Sequence, residues 1–150
     1  MFWVRVAKEK DILDIKNLIE EYDLTPFDES NLDNYMVGDF DGNIISLSAF
    51  DVSGNTALLH SLVVKEEFRG KYFGDTQARA MINLAERRFI RYIYKGINDL
   101  NQGYFLARMR YCPISKEEFS QTFEKECDYK EVWKLDVVDF FNHSCSCSEK

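Results

Sequence analysis

A chain of 150 residues, 45% of them hydrophobic and 15% aromatic, is one domain by length and can bury a core without disulfide staples. Its net charge of −7, from 19 basic and 26 acidic residues, argues against a nucleic-acid partner, because phosphate neutralisation needs a basic field. The opening MFWVRVAKEK is too brief for a signal peptide or a span, and no later run approaches the ~20 apolar residues of a membrane helix, so the expectation is a cytoplasmic protein with no membrane partner.

The first expected element is a strand, FWVRVA over residues 2–7, bulky and alternating. At Asp11 the period changes: Ile12, Ile15, Leu18, Ile19 and Tyr22 recur at helical spacing, with Asp11 placed as the cap. DLTPFDESNLDN is turn-rich and reads as a loop or a short irregular helix. In YMVGDFDGNIISLSAFDVSGNTALLHSLVV, two turn signals, Asp41-Gly42-Asn43 and Ser53-Gly54-Asn55, cut three strands of an antiparallel meander. The third strand is apolar on both faces, Leu58, Leu62 and Val64 on one and Ala57, Leu59 and Val63 on the other. It reads as a central strand covered on both sides.

Past a basic loop, Ala78, Ile82, Ala85 and Phe89 form one stripe of a helix expected from about Asp75 to Arg91. YIYKGI is a further strand. NQGYFLARMR is a short helix closed by YCPIS, where Pro113 prevents continuation. SKEEFSQTFEKEC is a helix with a capping-box-like Ser115-x-x-Glu118, and YKEVWKLDVVDFF finishes the chain as a strand. The order predicts a mixed α/β fold, a mostly antiparallel mixed sheet with helices on both faces.

The loop between the central strand and the long helix is RGKYFG, residues 69–74. A strand that runs through a tight loop into a helix aims unpaired N–H groups at one spot, with the positive end of the helix dipole behind them. That arrangement holds anions, phosphate above all. Arg69 and Lys71 add charge, while Gly70 and Gly74 let the backbone come close. An ordinary turn with surface basic residues is the plainer alternative.

The order of elements around this loop resembles the GNAT superfamily of acetyl-CoA-dependent N-acetyltransferases. That family's loop reads Q/R-x-x-G-x-G/A after a central strand ending in L-x-V; SLVVKEEFRGKYFG supplies Leu62, Val64, Arg69 and Gly74. GNTALLHSLVVKEEFRGK and YFLARMRYCPISKEEF look most similar to the arsenic-operon subgroup, and to the related N-acetylglutamate-synthase-like amino-acid acetyltransferases. The resemblance implies a twisted GNAT-like sheet and acetyl-CoA as co-substrate. It implies contacts from Leu62, Val63, Val64, Arg69, Gly70, Lys71, Tyr72, Phe73, Gly74 and Asn101, a small-molecule amine as partner, and leaves a homodimer open. Three positions depart from the family: its inner loop glycine is Tyr72, the glycine of its late F-Y-x-x-x-G-F motif is Arg110, and the tyrosine that often protonates the departing thiolate is Leu106.

Acetyl transfer to an amine needs a base, because amines titrate near ~10 and arrive as ammonium. It also needs a donor for the oxyanion, and a backbone N–H near Val63 or Val64 suits it. His60, just upstream on the central strand, is the candidate base, with a satisfied core histidine as the alternative. Tyr104 is the candidate acid, with Tyr111 beside it; both also suit the core or an interface. Asn98, Asp99 and Asn101 are candidate polar contacts or turn residues, and Arg108 and Arg110 candidate partners of a substrate carboxylate or solvated cations. The changed family positions keep two other functions open: a catalytically weak acyl-CoA-binding domain and a peptide or protein N-terminal acetyltransferase. Four cysteines (Cys112, Cys127, Cys145, Cys147) are too few and clustered for a secreted disulfide scaffold. In the ending NHSCSCSEK, His143, Cys145 and Cys147 are potential metal ligands but lack common zinc spacing, so residues 142–150 are expected to be a flexible tail with no metal, a metal site being the alternative.

Overall fold

A computed structural model describes residues 1–142 of the chain; the expectations about His143, Cys145 and Cys147 lie outside the described residues. Seven strands, β1 (Phe2–Val6), β2 (Tyr35–Phe40), β3 (Asn43–Ser53), β4 (Thr56–Val64), β5 (Tyr92–Ile97), β6 (Cys112–Ile114) and β7 (Glu131–Asp136), form one sheet in the order β1-β2-β3-β4-β5-β7-β6. The helices are α1 (Ile12–Tyr22), α2 (Phe73–Arg87), α3 (Gln102–Arg108), α4 (Lys116–Phe123) and α5 (Val137–Asn142). β1-β2, β2-β3, β5-β7 and β6-β7 pair antiparallel, whereas β4 and β5 run parallel over Thr56–Leu58 and Tyr92–Tyr94. Among the described residues no helix is long and apolar enough to cross a membrane.

The chain divides into two compact units. The first comprises Met1–Asp51 and Leu59–Leu84. Here the pleat sorts side chains by face: Tyr35 pairs with Ala49 and Val37 with Leu47, and these four pack with Ile15 and Leu18 of α1. The opposite face carries Met36 across from Ser48 and Gly38 across from Ser46, and there Gln77 of α2 lands, fully buried. Helices therefore cover both faces. Asp11, expected to cap α1, makes no side-chain cap bond to that helix. Its carboxylate accepts from Arg5 at 2.7 and 2.9 Å and from the Lys8 N–H at 2.8 Å, because a buried guanidinium is the stronger partner.

The second unit comprises Val52–Leu58 and the chain from residue 85 onward. Its β5-β7-β6 sheet packs Tyr94 and Val132 against Phe119 of α4 on one face. The other face meets α3, where a methyl group at Gly103 would come 3.1 Å from the Trp133 ring. The Ser115 cap holds as expected, its Oγ accepting the Glu118 N–H at 3.1 Å. Three boundaries differ from the sequence reading. Residues 112–114 make a short edge strand, the one sheet position where Pro113 costs no ladder bond. The final strand stops at Asp136, whose carboxylate accepts the Val138 and Asp139 N–H groups at 3.0 and 3.2 Å and starts α5. Helix α2 ends at Arg87, and Phe89, expected in its buried stripe, stands 89% exposed at φ 60°. The Ile90 N–H reaches back to Ala85 O at 2.9 Å, a left-handed stop that outweighs the apolar pattern.

Candidate active site

β4 changes character along its length. Ala57, Leu58 and Leu59 are buried, whereas Leu62, Val63 and Val64 are each only half-buried. The expectation of a strand covered on both sides thus holds for its first half alone, because alternation records which side chains are apolar and not what lies over them. His60 packs edge-on against Tyr35 at 6.1 Å, while Val63 packs on the cluster to which Tyr35 belongs. Residues three apart on a regular strand point to opposite faces, so the alternation breaks between them.

After β4 the chain turns through Glu66–Phe68 and into the basic loop. Two side chains prop it, one of them from the α1 stripe and one from the loop itself. The Tyr22 hydroxyl accepts the Glu66 N–H at 2.9 Å. Arg69 donates from Nε to Val64 O at 2.9 Å, with its guanidinium 5.5 Å above the Tyr22 ring. Arg69 is therefore a strut as well as a charge. Tyr22 was legible only as a helical-period core residue, which hid its polar tip.

Gly70 has φ 80° and Tyr72 φ 66°, so the loop needs the left-handed region twice. At Tyr72 a residue with a side chain holds a conformation that favours glycine, and the ring stands 80% exposed. Phe73 opens α2, but its ring lies 4.4 Å from Phe2 and 5.7 Å from Phe40, leaving only its backbone N–H toward the loop. The first helical bond is accepted by Tyr72 O from the Thr76 N–H at 3.1 Å. The N–H groups of the first turn of α2, Phe73 and Gly74 among them, therefore point back toward the loop. Lys71 is exposed beside them.

The His60 side chain is 5% exposed. Its Nδ1 lies 2.9 Å from the Ser61 hydroxyl, and its Nε2 stands 3.6 Å from Asp51 Oδ1, an exposed carboxylate. The setting is that of an oriented imidazole with a carboxylate at its outer edge. Tyr35, fully buried, is held by its hydroxyl accepting the Asp28 N–H at 3.1 Å, and burial raises its pKa.

The remaining candidates belong to the second unit. Asn101 precedes α3 and donates its N–H to Asp99 Oδ1 at 3.0 Å. Tyr104 is 82% exposed on α3, whereas Leu106 and Tyr111 are buried, and burial pushes the Tyr111 phenol far up. Arg110 has φ 72°, again a left-handed conformation that favours glycine. It closes α3 before Pro113 is reached, with the Tyr111 N–H bonding Leu106 O at 2.9 Å. Its side chain is also committed: Nη1 donates to Phe140 O at 2.8 Å, and the guanidinium lies 4.8 Å over the Phe140 ring. Arg108 sits 5.3 Å from the Phe105 ring.

No family model matches the sequence, and no curated protein sequence matches it either. Solved structures do match its fold. N-acetylglutamate synthase from Neisseria gonorrhoeae, complexed with coenzyme A and L-arginine, superimposes with a TM-score of 0.78 at 18% identity over 90% of this chain. Its complex with coenzyme A and N-acetyl-glutamate gives 0.71 at 14% over 91%. The chain spans about a third of that synthase, 33% in the L-arginine complex and 35% in the N-acetyl-glutamate complex. An acetyltransferase of the GNAT family from Staphylococcus aureus Mu50 gives 0.72 at 12%, covering 91% of this chain and 99% of that one. The fold is that of the GNAT acetyltransferases, as the loop and its surrounding elements imply.

Proposed function

We propose that the chain is an acetyl-CoA-dependent N-acetyltransferase acting on the amine of a small molecule, with amino acids first among the candidates. One observation carries the reading. In a GNAT fold, a central strand whose last three residues are half-exposed leads through a loop with two left-handed residues into the first turn of a 15-residue helix, where backbone N–H groups point toward the loop. A pyrophosphate suits those N–H groups and Lys71, and a pantetheine arm suits Leu62, Val63 and Val64.

In this reading His60 takes the proton of the incoming ammonium, directly or through water, and Asp51 stabilises the imidazolium that forms. A backbone N–H near Val63 or Val64, where the alternation breaks, receives the oxyanion. The thiolate, with a thiol pKa near ~8.5, leaves with little help. Tyr104 is the one candidate acid that is accessible. A coenzyme-A-binding domain of low turnover is the second reading, favoured by the buried Leu106 where the family often has a tyrosine.

Calorimetry with acetyl-CoA, followed by a turnover assay over free amino acids and short peptides, tests both. Binding with turnover of a free amino acid supports the proposal. Binding without turnover supports the second reading, and no binding removes both.

A further inference from the structure

Strand β5 reads YIYKGI, and at Lys95 a cation interrupts an apolar face. Pairing with β7 sets Ile93 opposite Leu135, Lys95 opposite Trp133 and Ile97 opposite Glu131, so these six side chains share one face of the sheet. Helix α3 lies over that face at Gly103. Ile93, Leu135 and Ile97 are buried, and Lys95 is half-buried among them. Glu131 is the carboxylate of this face, and it accepts from Trp133 Nε1 at 3.2 Å rather than from Lys95. On α3, Tyr104 points to solvent and Arg108 is another cation. Among the described residues the Lys95 side chain makes no hydrogen bond or ion pair.

Lys134 is the internal contrast, a half-buried lysine on the next strand facing the other way. Its Nζ lies 2.9 Å from Glu118 Oε2 and 4.3 Å from the centre of the Tyr92 ring, and its pKa is raised. Nothing comparable holds the Lys95 proton, and burial pulls its ammonium down to about 8. A core-facing lysine with no counter-charge is costly, and a strand position of this kind takes leucine or methionine more cheaply.

We infer that Lys95 is a modification site of the chain, an amine that accepts an acyl group from a thioester. The neutral Nζ attacks the thioester carbonyl carbon; a C–N bond forms, the C–S bond breaks, and the thiolate leaves to be protonated. From the ammonium form the products are one amide, one free thiol and one released proton. That acetyl-CoA is the donor rests on the function proposed above; the reactivity of the amine does not.

The test incubates the intact protein with acetyl-CoA, or with the nucleotide-free thioester S-acetyl-N-acetylcysteamine, and follows each lysine by peptide mass spectrometry, with acetyl-CoA binding measured separately by calorimetry. At slightly alkaline pH Lys95 is expected to acetylate about tenfold or more faster than exposed Lys8, Lys10 and Lys71, because far more of it is neutral. Urea should abolish the preference, Lys95→Arg should remove the label, and Lys134→Arg should leave it. Preference for Lys95 with the small thioester, in a protein that fails to bind acetyl-CoA, sinks the proposed function and keeps the inference. Acetyl spread over exposed lysines with Lys95 bare, in a protein that does bind acetyl-CoA, overturns the inference and keeps the function.

Discussion

The Ser46 hydroxyl on β3 donates to the Gln77 carboxamide oxygen on α2 at 2.6 Å, both side chains fully buried. The amide nitrogen completes the junction, donating to Ser48 Oγ at 2.7 Å and Met36 O at 3.0 Å. This is how the helix that follows the basic loop is fixed to the meander. Every group is satisfied, so removing one strands several. Gln77→Ala is expected to cost about 2–4 kcal/mol in urea unfolding, and Ser46→Ala about 1 kcal/mol. Gly38 belongs to the same junction, because a Cβ there would meet Ser46 Oγ at 1.8 Å.

Arg5 and Asp11 form the buried ion pair of the first unit, with side-chain exposures of 9% and 4%. Hydrogen bonding from Arg5 holds the Asp11 carboxyl below its ordinary 3.8. A depressed carboxylate pKa stabilises the fold above the unfolded value and loses that stability as pH falls through the folded value. Wild type should therefore lose stability below about pH 4, and Asp11→Asn should flatten that loss while costing about 3 kcal/mol near neutrality, because it leaves a buried guanidinium poorly paired. Urea titrations at stepped pH read both.

Tyr72 holds a left-handed conformation that costs an L-residue roughly 1–2 kcal/mol, and its exposed ring recovers nothing from packing. Tyr72→Gly removes that strain at the expense of greater freedom in the unfolded chain. A net stabilisation of up to about 1 kcal/mol is expected, whereas loop entropy alone would predict a loss. Acetyl-CoA binding should nevertheless weaken, since an exposed aromatic beside the N–H groups has a flat ligand to meet. Unchanged or tighter binding in calorimetry would remove Tyr72 from the contact set.

His60→Gln keeps a polar side chain of similar reach beside Ser61 and Asp51 but cannot take a proton. Turnover should fall about 10²-fold with acetyl-CoA affinity nearly unchanged. Wild-type rates across neutral pH would return His60 to the core.

The sequence by itself determined the alternation of elements, the two hairpin turns, the meander, the Ser115 cap and the position of the loop. Each follows from local period or from a residue whose backbone preference acts within a few positions: Gly42 and Gly54 in turns, apolar spacing in α1 and α2. The resemblance carried by Leu62, Val64, Arg69 and Gly74 fixed the expected fold because those residues sit in one continuous stretch. Tertiary structure alone decided what depends on partners distant in sequence. Asp11 gave α1 no side-chain cap because Arg5 stood within reach. Arg69 and Tyr22 became struts of the loop. Phe89 left the core because Ile90 could close the helix on Ala85. Lys95 showed its character only when β7 placed Trp133 and Glu131 beside it, for a cation in YIYKGI reads the same whether or not a carboxylate waits across the strand. Local preference sets an element; the competition for polar partners, settled only on packing, sets what its side chains do.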